Sequence, residues 1–244
     1  MASSPAPVGG DSALPPDRRQ ALSGLAADLR RIFGVDLRAV VVYRLDSEPL
    51  HTLALVERVT FEHLAACAPV ADAWLRSGLA VPLLISREEF ARTLDVFPLE
   101  YHEIITDHIT IDGADPFDGI RVSESDLRRA CEHQAKSHLI HLREAFLEGS
   151  REPRAIAQLI TASAPAFRTT LLNIATLDGA AAPSTDEGIA AAAESTIGIP
   201  AAVVRGVLAH ERRASAAADP TALLAQYIAA AEQVWEYVDS WRRG

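Results

Sequence analysis

The stretch from Pro82 to Asp118, PLLISREEFARTLDVFPLEYHEIITDHITIDGADPFD, constrains the fold more than any other part of the chain. Ser86, followed three residues later by Glu89, has the spacing of a capping box. There a hydroxyl and a carboxylate satisfy each other's exposed backbone N–H groups at a helix start. A short helix is therefore expected after a strand at Val81–Ile85. That helix must stop near Asp95, because Pro98 biases Phe97 toward an extended backbone and the following LEYHEII can alternate its side chains between two faces. The expectation is strand, short helix, strand, one compact piece of α/β architecture.

Residues on either side complete the frame. Met1 to Pro16 are small, polar and Pro-rich, a composition too poor in apolar area to offset ordering, and are read as a disordered tail. From Asp17, the residues Leu22, Leu25, Leu29, Ile32 and Phe33 recur at helical spacing, and Gly34 supplies the stop. LRAVVVY, Leu37–Tyr43, has the β-branched run of a buried central strand. After RLDSEP, the segment HTLALVERV is expected to pair with it as an antiparallel hairpin. Thr60 to Trp74 reads as a helix that Pro69 bends or divides.

Beyond residue 122 only helices are expected, packed as a bundle. Ser123 and Asp126 mark an N-terminal cap, and Leu127, Cys131, Ala135, Leu139, Leu142 and Phe146 form one stripe ending at Gly149. Pro153 suits a first turn and Pro165 a kink or break; Gly179 to Asp186 reads as a loop. DEGIAAAAEST is a further helix, Pro200 opens another, and Asp219-Pro220 cap a last one. Leu224, Tyr227, Ile228, Ala231, Trp235 and Val238 line the face of that final helix. The domains implied are a tail over 1–16, an α/β domain over 17–122 and a helical domain over 123–244.

A formal charge of -10 argues against a surface built for nucleic-acid phosphates. Lys136 is the one lysine among 23 Lys and Arg residues, a skew that points to codon bias rather than to a binding surface. No apolar run approaches the roughly 20 residues needed to span a bilayer, and the N-terminus lacks the pattern of a secretory signal, so no membrane partner and a cytoplasmic location are expected. Cys67 and Cys131 are too few for a disulfide framework and are read as reduced and packed.

The order of helix, VVVY strand, second strand, helix, strand, short helix with FPLEY and a helical tail resembles the nucleotidyltransferase-like proteins of the DNA polymerase β superfamily. The segment LISREEFARTLDVFPLEYHEIITDHITIDGADPF is similar to a bacterial branch of it, with a strand leading to a glycine and an acidic-Pro turn at DHITIDGADPF. The similarity covers roughly Leu22 to Leu147. It implies an α+β/α/β nucleotidyltransferase-like domain, a small mixed sheet with helices, followed by an all-α helical bundle.

Working members of that superfamily carry a Gly-Ser turn after the first strand, where backbone N–H groups approach a nucleotide phosphate. Two aspartates one residue apart follow on the next strand and bind Mg²⁺ with a third carboxylate. Here Arg44-Leu45 stands in place of Gly-Ser, and the strand His51-Thr52-Leu53-Ala54-Leu55-Val56 holds no acid. Glu103, or Glu100, takes the third carboxylate's place. Asp46 and Glu48, with Glu57 downstream, are the acids that would have to supply a metal site from the hairpin tip, where Asp, Ser and Pro also form an ordinary turn. Tyr43 and Arg44 are candidates for stacking on a base and neutralising a phosphate.

Elsewhere, Cys131, His133, His138 and His141 share one helix without converging, and His138 is the histidine expected to be buried beside Cys131. Arg128 with His133, and Arg205 with His210, match the loose arginine–histidine spacing of helical RNases in which a cation binds phosphate and an imidazole moves protons. Trp235, Tyr237 and Trp241 are a candidate partner face. The reading is a pseudoenzyme: a catalytically inactive nucleotidyltransferase-like protein acting as a ligand-binding or regulatory module, with no cofactor. It would bind a small molecule, a nucleotide, or a protein partner through the helical domain. The alternatives are an active Mg-dependent nucleotidyltransferase using Asp46, Glu48 and Glu103, and a helical-domain RNase using Arg128 and His133.

Overall fold

The computed structural model describes residues 14–45, 47–149, 151–177, 183, 185–212 and 219–241. The chain divides into two compact units, Met1–Val122 and Ser123–Gly244. In the first, helix α1 (Pro16–Phe33) leads into strands β1 (Leu37–Tyr43) and β2 (His51–Val56). Helix α2 (Phe61–Arg76), strand β3 (Leu83–Ser86), helices α3 (Arg87–Arg92) and α4 (Pro98–Thr106) and strand β4 (His108–Gly113) follow. The four strands form a mixed sheet in the order β3-β2-β1-β4.

The β1–β2 hairpin is antiparallel, with Tyr43 opposite His51 and Leu37 opposite Val56. β4 lies antiparallel on the other side of β1, with His108 opposite Tyr43. β3 runs parallel to β2, and α2 makes the crossover that a parallel pair requires. Alternation along β1 sends Val40 and Val42 to one face. There they join Ala54, Val56 and Ile109 in a core closed by Leu25, Leu29 and Phe33 of α1 and by Cys67 and Trp74 of α2. The Trp74 indole N–H donates to Asp28 of α1 at 3.1 Å, which fixes the two helices to each other. On the opposite face the His108 ring meets Phe117 edge-on at 4.9 Å, Phe117 lies 5.1 Å from Phe90, and Phe90 lies 4.5 Å from Tyr101. β1 is thus covered on both sides, as its continuous apolar run implies.

Local signals account for the element starts. The Ser86 hydroxyl accepts from the Glu89 N–H at 3.1 Å at the head of α3, and Thr60 caps α2 through the His63 N–H. Gly113 ends β4 with φ 88°, and a Cβ there would stand 2.3 Å from the Arg38 carbonyl oxygen, so no other residue fits between β4 and β1.

The structure corrects several expectations. LEYHEII is not a strand: Pro98 occupies the first turn of α4, and Pro98, Tyr101 and Ile104 form its buried stripe. Phe97, with φ -124° and ψ 56°, is not fully extended but stands at a helix entry, and the strand that completes the sheet is HITIDG instead. α3 ends at Arg92, short of Asp95. β3 begins at Leu83 rather than at Val81. α1 begins at Pro16, and Leu14 is already packed into the core, so order starts earlier than Asp17; residues 1–13 of the expected tail lie outside the described residues.

In the second unit, α5 (Glu124–Glu148), α6 (Pro153–Leu177), α7 (Asp186–Ile197), α8 (Ala201–Glu211) and α9 (Pro220–Ser240) are the helices among the described residues. The Ser123 hydroxyl accepts from the Asp126 N–H at 3.1 Å, Thr185 caps α7 and Asp219 caps α9. α5 packs on α6 and α9, α6 also on α8 and α9, and α7 on α8. Neither Pro69 nor Pro165 divides its helix; α2 and α6 run through them. Phe146, Ile228 and Trp235 are half-buried at the margins of their stripes, while Ala230 and Val234 complete the α9 core face. Residues 179–182 and 184 of the expected loop lie outside the described residues, and Asp186 already belongs to α7. No described helix is long and apolar enough to cross a membrane.

Candidate functional site

The carboxyl end of β1 carries most of the candidates that the structure brings together. Tyr43 closes the strand between His51 of β2 and His108 of β4, and its ring lies 5.7 Å from the His51 ring. Burial raises the Tyr43 phenol above its ordinary pKa, with Arg44 working against the shift and Glu103 adding to it. Burial, reinforced by the Arg44 charge, lowers the His51 imidazole, which is therefore neutral at pH 7.

Arg44 follows with φ 53°, the left-handed region that costs a side-chain-bearing residue roughly 1–2 kcal/mol. The turn is closed on its carbonyl oxygen, which accepts from the Ser47 N–H at 2.8 Å and from the Ser47 hydroxyl at 2.7 Å. The Arg44 guanidinium grips Glu103 of α4 with both carboxylate oxygens engaged. Nε donates to Oε1 at 3.0 Å and to Oε2 at 2.9 Å, and Nη2 donates to Oε2 at 2.7 Å. These hydrogen bonds raise the Arg44 pKa further. Its guanidinium carbon also stands 5.9 Å from the Tyr43 ring centroid, within cation–π range. On α4, burial lowers the pKa of neighbouring His102, while Glu100 is exposed.

The remaining acids go elsewhere. Asp46 lies outside the described residues. Glu48 projects into solvent and pairs with Arg18 of α1 at 3.2 Å, while Arg18 also donates to the Leu45 carbonyl at 2.8 Å. Glu57 is held by Arg38 at 2.6 Å. Of the candidate Mg²⁺ ligands among the described residues, Glu103 is committed to Arg44 and Glu48 to Arg18. Among the described residues, no three His, Cys, Asp or Glu side chains gather in a way that would hold a metal ion.

In the helical unit, Arg128 pairs with Glu132 at 3.0 Å and donates to the Val238 carbonyl at 3.2 Å, while His133 is exposed. Five positions along one helix set the two residues about 140° apart around its axis. Arg205 pairs with Glu187 at 2.8 Å, and His210 is buried. Cys131 is buried and His141 pairs with Glu144 at the surface, so these residues do not converge with His133 or His138. His138 Nε2 is in hydrogen-bond contact with the Tyr227 hydroxyl at 2.9 Å, and its ring stacks on Phe167 at 5.9 Å. Burial lowers His138 to about 4. Lys136 caps the face of Trp235 at 3.4 Å from the ring centroid, so that member of the aromatic group is occupied within the chain.

Three partners of the β1 end escaped the sequence. His51 could have been found by folding the hairpin about RLDSEP, which sets it opposite Tyr43. His108 required β4 to be recognised as the neighbour of β1. Arg18 lies 30 positions from Glu48, and no local signal joins them. The same holds for the network in which Arg168 of α6 binds Asp186 of α7 and Glu211 of α8, each at 2.7 Å.

No model of a known protein family matches the chain, and no curated protein matches it significantly.

Proposed function

We propose that residues 17–122 are a nucleotidyltransferase-like α/β domain that has given up metal-dependent transfer and acts as a ligand-binding or regulatory module. The observation that carries this reading is the Arg44–Glu103 pair. The carboxylate best placed to serve as a third metal ligand has both oxygens engaged by a guanidinium, which stands where the superfamily has its Gly-Ser turn. A metal ion would have to displace three charge-assisted hydrogen bonds and leave Arg44 uncompensated. The backbone supports the same reading, since φ 53° at Arg44 is a conformation that glycine adopts without cost. β2 carries no acid to replace the missing pair. What remains at the β1 end is a guanidinium compensated by Glu103 beside the Tyr43 ring and a neutral imidazole, groups suited to a planar ligand held without metal.

Calorimetric titration with ATP, GTP, CTP and UTP, each with and without Mg²⁺, tests the proposal. The expected result is no magnesium-dependent binding, in wild type or in Glu103→Ala. Magnesium-dependent binding that Glu103→Ala abolishes would overturn it and establish the transferase alternative. Metal-independent binding weakened by Arg44→Ala would identify a nucleotide as the ligand. Silence with all four nucleotides would direct the regulatory role to a protein partner.

A further inference from the structure

Arg44 and Glu103 are unequal partners. The arginine is fixed from behind: its backbone sits at φ 53°, and its carbonyl oxygen accepts from both the N–H and the hydroxyl of Ser47. Its guanidinium also lies 5.9 Å from the ring of Tyr43, a residue that the sheet holds between His51 and His108. Glu103 is held by the arginine alone. Among the described residues every hydrogen bond its carboxylate accepts comes from Arg44, and its side chain is 41% exposed. The buried stripe of α4 is Pro98, Tyr101 and Ile104, so rotation about the side-chain bonds of Glu103 frees the guanidinium with no movement of the helix.

The place that the carboxylate occupies has the chemistry of an oxyanion seat. Nε and Nη2 of Arg44 engage both oxygens of Glu103, the fork geometry that takes a carboxylate or a phosphate alike. His51 is near enough for both charges to act on it, Arg44 lowering its pKa and Glu103 raising it, so a neutral hydrogen-bonding group stands beside the fork. The other exposed arginine–glutamate pair of β1 is built differently. Arg38 lies within the regular strand and places both Nε and Nη2 on a single oxygen of Glu57.

We propose that Glu103 is an internal plug in an oxyanion seat: the ligand of the β1 end carries a carboxylate or phosphate group, which binds Arg44 by displacing Glu103 into solvent. The proposal rests on the reading of residues 17–122 as a ligand-binding module. Because the pair is exposed, the plug is weak, and it lowers the affinity for an incoming oxyanion by about two- to fivefold.

Nuclear magnetic resonance titration of the full chain with acetate and, separately, with inorganic phosphate, at ionic strength held constant with chloride, tests the seat. The signals followed are the Arg44 Nε–H and the His51 ring protons. The expected result is a saturable shift of both with at least one anion, about two- to fivefold tighter in Glu103→Gln and lost from His51 in Arg44→Ala, with the amide spectrum elsewhere unchanged. The anion that saturates says whether the ligand's acid is a carboxylate or a phosphate. Glu57→Gln, which strips Arg38 in the same way, should create no saturable site there. The absence of saturation in both wild type and Glu103→Gln overturns the proposal. Equal affinity in the two overturns it as well, since the anion would then use the other edge of the guanidinium and leave Glu103 in place. Equal binding at Arg38 in Glu57→Gln overturns it too, because any exposed arginine would then serve. These outcomes involve neither nucleotide nor magnesium, so they are distinct from the metal-dependent binding that would overturn the reading of the module itself.

Discussion

Lowering the pH from about 7.5 to about 5 is expected to destabilise the helical unit by about 2 kcal/mol through His138 alone. Three helices hold this imidazole: it extends from α5, hydrogen-bonds Tyr227 of α9 and stacks on Phe167 of α6. Burial first, and the His141 charge second, lower its pKa from 6.5 to about 4. A histidine in the unfolded chain takes up its proton near 6.5, while the folded one refuses it until about 4. Between those values the unfolded state binds more protons, so stability is complete above about 6.5 and falls as the pH drops toward 4. At 1.36 kcal/mol per unit the whole window is worth roughly 3 kcal/mol, of which about 2 has been lost at pH 5. The assay is urea unfolding followed by far-ultraviolet circular dichroism at several pH values, comparing wild type with His138→Gln. Glutamine can keep the contact to Tyr227 but binds no proton. Other groups titrate alike in both proteins, so the difference between the two stabilities isolates His138. If the two curves run parallel from about pH 7.5 to about 5, the buried neutral histidine is not what couples this unit to pH.

Gly113→Ala should cost about 3 kcal/mol or more, since its Cβ would meet the Arg38 carbonyl at 2.3 Å in a backbone conformation of φ 88°; the denaturation midpoint of the sheet unit reads this directly. A double-mutant cycle with Arg44→Ala and Glu103→Ala should return a coupling of about 0.5–1 kcal/mol, because side chains about 43% and 41% exposed are screened by water even in bidentate geometry; urea titration of the four proteins measures it, and added salt should reduce it. Ser123→Ala removes the hydroxyl that caps α5 and should lower the stability of the helical unit by about 1 kcal/mol, with Ser123→Asp restoring most of it in the same melt.

Elements whose causes are local were legible in the sequence. Ser86, Thr60, Ser123 and Asp219 announce helix starts because a side-chain oxygen two or three residues ahead of an orphan N–H is a self-contained interaction. The VVVY run announces a strand covered on both faces. The reading failed where one local rule permits two outcomes. Pro98 does keep Phe97 out of the helical region, at φ -124° and ψ 56°, yet a residue so restricted can precede a helix as readily as it can continue a strand. The spacing of Pro98, Tyr101 and Ile104, three residues each, was the signal for a helix.

That single reassignment changes the meaning of Glu103. On a strand edge it would be a carboxylate facing solvent, open to a metal. On α4 its carboxylate is within reach of a residue 59 positions earlier, whose left-handed backbone at the end of β1 belongs to the turn that Ser47 closes. No pattern in the sequence links positions so far apart, because the link depends on the register of β1, the turn at Arg44 and the helical state of α4 together. That β2 carries no acid is written in the sequence itself. The Arg44–Glu103 clasp is written only in the fold. There Glu103 neutralises Arg44, so its carboxylate is not open to a metal ion without breaking three charge-assisted hydrogen bonds.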